Sequence, residues 1–217
     1  DVLPHSTDDL PRGGRRPRAE DVSIPVALYL PACIQTMFAG GVSEAFRALC
    51  ERARVELTVM DSGGLCCGTP WKSKGFLTGY REQMERAERT LDGRLPIVVD
   101  AASCTEGYKV MQSKSDDPVF KKIEFVDVTE FTFKHLLPKL KIKRRYGSIA
   151  LHPTCSSTHL GLNNALKGIA EAMADEAYVP LDWGCCAFAG DRGMLHPELN
   201  ASAAKREAAE INSRHFD

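Results

Sequence analysis

The chain has 217 residues, of which 43% are hydrophobic and 26% charged, with a formal net charge of −1. That length can bury a sizeable core in one large domain or two small ones, and the near-neutral charge excludes a global field that would favour nucleic acid or an acidic membrane. No apolar run approaches the roughly 18 residues of a membrane-spanning helix, and eight cysteines in a chain this long point to metal or redox use rather than to a disulfide scaffold.

The chain begins at Asp1 without a methionine and is read as a fragment or processed form. With no signal peptide visible, the expected location is the cytoplasm, including a peripheral position on the cytoplasmic face of a membrane. Residues 1–23 are rich in Pro, Gly and charge and read as a linker; their arginines (Arg12, Arg15, Arg16, Arg18) read as a solvated tether. "VALYLPAC" follows as a buried strand ending near Pro31. "VSEAFRALCERA" places Phe46, Leu49, Cys50 and Ala53 at helical spacing, with Cys50 a core thiol on the apolar face. "VELTVMD" reads as a strand, "YREQMERAERTLDG" as a polar helix closed by Gly93, and "LPIVVDAASC" as a buried strand running into Cys104. "VTEFTFKHLLPKL" is helical up to Pro138, and the basic run "KLKIKRRYG" is a connector.

From Ser148 the pattern restarts. "SIALHPTC" is a strand, "LNNALKGIAEAMA" a helix, "AYVPLDWGCC" a strand and turn, and "HPELNASAAKREAAEI" a helix with Pro197 in its first turn. Alternating strands and helices predict an α/β fold with mainly parallel sheets.

The restart is also a repeat of residues. Pro31-Ala32-Cys33 is answered by Pro153-Thr154-Cys155, 122 positions later, and Cys66-Cys67 by Cys185-Cys186, 119 positions later. Ala45, Leu49 and Glu51 are answered by Ala165, Ile169 and Glu171. The expected architecture is two tandem Rossmann-like lobes related by pseudo-twofold symmetry, over residues 24–145 and 146–217. By the same spacing the counterpart of Cys104 falls past Asp217, so the second lobe is expected to lack its last ligand.

In the first lobe Cys33, Cys66, Cys67 and Cys104 follow three strands of a parallel sheet and should share its carboxyl edge, where α/β folds bind ligands. Thiolates suit iron–sulfur clusters and zinc, because both accept soft sulfur donors. Gly63, Gly64 and Gly68 allow backbone to approach the sulfurs, and in a turn two adjacent side chains can face one centre. Cys155, Cys185 and Cys186 form the second candidate set. His152, His159 and His196 lack the spacing of a zinc or triad motif and are weak candidates, as is an anion-binding turn at Asp191-Arg192-Gly193. No dinucleotide fingerprint, P-loop, nucleophile elbow or thioredoxin-like Cys-x-x-Cys is present.

With these residues in view, the chain resembles the cysteine-rich CCG domain family. Its pattern is a lone Cys, then Cys-Cys-Gly, then Cys-x-x-Cys, usually in two copies. "CCGTPWKSKG", "HPTCSSTHLG" and "FAGDRG" look most like the carboxyl-terminal part of FAD-linked D-lactate dehydrogenases of the glycolate-oxidase type. The disulfide-cleaving component of heterodisulfide reductases carries similar domains. The resemblance implies an iron–sulfur cluster of [4Fe-4S] type, with zinc as the alternative metal and FAD confined to another domain of the parent enzyme. It implies metal ligands at Cys33, Cys66, Cys67, Cys104, Cys155, Cys185 and Cys186, with Gly68 beside the cofactor. Electrons would pass from flavin towards a quinone or acceptor protein, with flavin and ferredoxin-like domains as partners. The alternative is a zinc-bound or metal-free structural domain of such an enzyme. No catalytic residue is expected in this chain, and no activity from it in isolation. Gly107 stands in place of the second cysteine of Cys-x-x-Cys, and Ala187 in place of the second glycine.

Overall fold

The computed structural model describes residues 13–38, 40–188 and 192–217. The chain divides into two compact units, with the boundary between Leu140 and Lys141.

The first unit is built on a parallel four-stranded sheet, β1 (Ala27–Leu30), β2 (Leu57–Val59), β3 (Ile97–Val99) and β4 (Phe125–Asp127), in the order β2-β1-β3-β4. The strands are almost wholly apolar because helices cover both faces. Leu28, Leu30, Ile97, Val99 and Phe125 point to one side, with Tyr80, Ala87, Tyr108 and Met111. Those last four residues belong to α4 (Leu77–Thr90) and α5 (Ala102–Lys114). Ala27, Tyr29, Val98 and Val126 point to the other side. There they meet Phe46, Cys50 and Ala53 of α2 (Val42–Ala53) and Phe131 of α6 (Val128–Phe131). The two short helices α1 (Cys33–Phe38) and α3 (Thr69–Ser73) lie in the connections after β1 and β2. Tyr108 stacks on Phe125 with ring centroids 5.0 Å apart, worth about 0.5–1.5 kcal/mol beyond area burial.

α6 begins at a true cap, where Asp127 accepts from the backbone N–H of Thr129 at 2.8 Å. It continues into a π-turn over Thr132–Leu136 and a 3₁₀ turn over Leu137–Lys139, where Pro138 ends the run. Two details differ from the sequence pattern. α4 stops at Thr90 with Leu91 extended, and Gly93 turns the chain two residues later. The described part of the N-terminal segment does not all hang free: Glu20 pairs with Val59 on the outer edge of β2.

The second unit contains a two-stranded parallel sheet, β5 (Tyr146–Ala150) and β6 (Ala174–Tyr178). α7 (Cys155–His159) and α8 (Asn163–Met173) connect them, and α9 (Arg192–Leu195) and α10 (Pro197–Asn212) follow. Arg145 ties the turn between α8 and β6, donating to the carbonyls of Ala172 at 2.9 Å and Ala174 at 2.5 Å. α10 is anchored by Glu207, which meets His152 Nδ1 at 2.7 Å, and by Glu210, which accepts from the N–H groups of Leu181 and Asp182. Parallel strands joined by helices make the fold α/β. No helix among the described residues is long and apolar enough to cross a membrane.

Candidate metal centre

In the first unit β1 lies between β2 and β3, so the chain leaves β1 towards one neighbour and returns on its other side. Where connections diverge like this, a crevice opens beyond the carboxyl ends of the strands. Cys33 is the first residue of α1, two residues past the Pro31 that follows β1. Cys66 and Cys67 occupy the turn between β2 and α3, and Cys104 lies in the first turn of α5 after β3. Cys33 and Cys104 therefore open helices rather than close strands, a shift of a few residues from the sequence expectation. The strands stop earlier because Pro31 cannot extend β1 and Asp100 ends the apolar run of β3.

The four sulfurs form a row. Cys33 neighbours Cys66, Cys66 neighbours Cys67 and Cys67 neighbours Cys104, each near enough for one thiol to perturb the next. The doublet faces one way because of Gly68, which takes the left-handed conformation at φ 75°. Its N–H then turns back to donate to Cys66 Sγ at 3.4 Å, while Cys67 Sγ pairs with Thr69 Oγ1 at 3.4 Å. Any side chain at Gly68 would also run into Met111 and the Tyr80 ring.

These contacts set the charge. The neighbouring Cys104 and Cys66 thiols, in that order, bring the Cys67 thiol down to about 3 against its burial. Cys66 likewise brings Cys33 down to about 7. Cys66 is pushed up by Cys33 and Cys67, and Cys104 by Cys67 and by burial. The downward direction at Cys67 and Cys33 favours thiolate, the form that binds metal. Cys67 and Cys104 are buried, and Cys33 and Cys66 partly so.

The second unit repeats the local turn but not the burial. Cys155 opens α7, and the neighbouring Cys185 pushes its thiol up. Ala187 N–H donates to Cys185 Sγ at 3.4 Å, the counterpart of Gly68 on Cys66, and Ala187 takes the left-handed φ of 57°. An alanine there bears a strain of roughly 1–2 kcal/mol that glycine would avoid. Cys155, Cys185 and Cys186 are all exposed. His152 and His196 are engaged with Glu207 and Glu198. Asp191 of the candidate anion turn lies outside the described residues.

The donor chemistry of the first row fits a thiophilic metal group: four soft sulfurs, grouped at a sheet edge where α/β folds bind ligands. Among the described residues, no group of three or more His, Cys, Asp or Glu side chains is arranged to hold a single metal ion. Gly107 supplies no fifth sulfur, and its space is filled: a Cβ there would lie 2.5 Å from Thr69 Oγ1 and 2.9 Å from Cys67 Cβ and from the Cys67 carbonyl oxygen.

Sequence reasoning missed the carboxylates behind this row. Asp100 is 4% exposed and accepts from the Tyr29 hydroxyl at 2.5 Å and from the Ala32 N–H at 2.7 Å. Burial pushes its carboxyl up, and these two donors oppose the shift. Asp127 is 2% exposed and accepts from the Thr105 hydroxyl at 3.1 Å. The available signal was an acid ending an otherwise apolar strand, in "PIVVD" and again in "EFVD".

Residues 27–106 match the profile of the cysteine-rich domain named CCG. No curated protein matches the chain. The match begins with β1 and ends just past Cys104, so it spans all four sulfurs of the row. Over residues 27–106 the chain therefore carries a cysteine-rich domain of the CCG family.

Proposed function

We propose that the chain is the iron–sulfur electron-transfer part of a FAD-linked D-2-hydroxy-acid dehydrogenase, passing electrons from flavin towards a quinone or another acceptor. The observation that carries this reading is the row of four neighbouring thiols, Cys33, Cys66, Cys67 and Cys104, at the switch point of a parallel sheet. An iron–sulfur cluster, when bound, stores one electron at a potential set by hydrogen bonds and burial. The chain's own contribution is to hold Cys67 as thiolate, to aim the Gly68 N–H and the Thr69 hydroxyl at the sulfurs, and to bury Cys67 and Cys104 away from water. Donors aimed at thiolate sulfur stabilise added negative charge. In the second unit, Cys155, Cys185 and Cys186 offer three exposed sulfurs, which we assign as a weaker and incomplete set.

A structural zinc site is the second reading. It is favoured by the count of sulfurs: with Gly107 closed off, four remain, the number in a closed Cys₄ zinc site. Metal and acid-labile sulfide analysis of anaerobically purified protein separates the two. Iron with sulfide, and an absorption that bleaches with dithionite, supports the cluster. Stoichiometric zinc without sulfide, surviving iron and sulfide reconstitution, overturns it.

A further inference from the structure

The crevice between the ends of β1 and β3 is spanned by one buried side chain. Asp100, at the end of β3, reaches across and accepts the N–H of Ala32 at 2.7 Å, the residue before Cys33. Its other oxygen accepts the Tyr29 hydroxyl at 2.5 Å, on β1 itself. The same strand continues into α5 and Cys104. One step along the sheet the device recurs. Asp127, at the end of β4, accepts the hydroxyl of Thr105 at 3.1 Å, and Thr105 is fully buried beside Cys104.

We propose that Asp100 and Asp127 are positioning residues that set the Cys33 and Cys104 sulfurs against the doublet. No residue of α1 is fully buried; Ile34 packs part-buried against the core, and the Gly14 N–H donates to the Thr36 carbonyl at 2.8 Å. At the residue before Cys33 the loop is held by a bond to a buried carboxylate, where screening by water is weak and such bonds are strong and directional. Asp100 holds this loop from the strand that leads to Cys104, so the two outer sulfurs of the row share one anchor. Asp127 fixes the rotation of α5 about Thr105, and with it the direction of Cys104. Neither carboxylate is assigned to metal or to substrate. The role rests on the metal-ligand reading of the row only for the metal measurement.

The test uses the full chain with Asp100→Ala, Asp100→Asn and Thr105→Val. Asparagine keeps an oxygen for Ala32 N–H and an amide for the Tyr29 oxygen, so it conserves the geometry without the charge. Two readouts are taken: the ¹³Cβ resonances of the cysteines in metal-free protein, and cobalt(II) affinity from the sulfur-to-cobalt band. In Asp100→Ala the Cys33 resonance moves and cobalt binding weakens at least about tenfold, the order of one charge-assisted bond. The resonances of Cys155, Cys185 and Cys186 stay in place. Asp100→Asn restores both readouts to within about twofold of the parent chain. Thr105→Val, which changes shape least and covers the case where Asp100→Ala does not fold, moves Cys104 instead. Unchanged cysteine resonances and affinity in Asp100→Ala and Thr105→Val overturn the proposal, as does an Asp100→Asn variant as impaired as the alanine. If the parent chain itself binds no cobalt, the ligand reading falls, and the metal-free resonances still decide the positioning.

Discussion

The eight cysteines fall into at least two kinds of environment. Cys50 sits on α2 at 4% exposure among Phe46, Ala53 and Tyr29, on the opposite side of the sheet from the Cys67 and Cys104 thiols, and burial pushes its own thiol up to about 12. Its spacing on an apolar helical face marks it as core. The consequence is a pH dependence with a definite sign. The native state holds the Cys50 proton above the ordinary value of 9.0, so it binds more protons than the unfolded chain between pH 9 and about 12. Stability from this group is complete below pH 9 and is lost as pH rises, at about 1.4 kcal/mol per unit. Cys50→Ala lacks this loss. Denaturant titrations should find the variant about 1 kcal/mol weaker near neutral pH. That deficit should close and then reverse by roughly pH 10.5, where about 2 kcal/mol of the parent's margin has gone. A deficit that stays constant across the range would contradict a buried neutral thiol. The doublets stood out in the sequence as candidate ligands, because adjacent cysteines beside glycine have no packing rationale. Asp100 and Asp127 did not, because an isolated acid after an apolar run reads as a strand end unless its partners are seen.

Among elements, every strand of the first unit's sheet except β4 lies inside a run whose apolar composition marks a buried parallel strand. The helices α2, α4, α8 and α10 also fall where periodicity or capping put a helix, whereas α5 takes residues read as the end of a strand and the stretch after it. Local pattern cannot reveal which elements touch. The closeness of α5 to the Cys66–Cys67 turn is such a case: Gly107 lets that helix approach until its missing side chain is replaced by Thr69 and Cys67. In sequence, Gly107 marks a departure from Cys-x-x-Cys; in three dimensions it is a contact. Restoring the motif with Gly107→Cys should therefore harm the domain. The new Cβ meets backbone as well as side-chain atoms, an overpacking of about 1–3 kcal/mol. Thermal unfolding should shift down, and metal content per chain should not rise. An increase in bound metal with unchanged stability would show that α5 can move away and that the fourfold set is not closed.

At the scale of the molecule, two α/β units differ in how they treat the same turn. Both place a backbone N–H 3.4 Å from the first sulfur of a doublet, and both follow it with a left-handed residue. The first unit backs its doublet with buried carboxylates, a glycine at the strained position and a second pair of half-buried and buried thiols. The second leaves its sulfurs in solvent and accepts an alanine at the strained position. Residue spacing pointed to two similar lobes; the structure has a four-stranded sheet in one unit and a two-stranded sheet in the other, and the difference in burial is not encoded in spacing. On the function we propose, metal binding falls to the first unit. The most direct measurement is iron and acid-labile sulfide per chain after anaerobic reconstitution, in the parent, Cys67→Ser and Cys185→Ser. The expected result is one cluster's worth of both in the parent, near-complete loss in Cys67→Ser, and little change in Cys185→Ser. Loss confined to Cys185→Ser, or full retention in Cys67→Ser, would contradict a cluster held by the first unit.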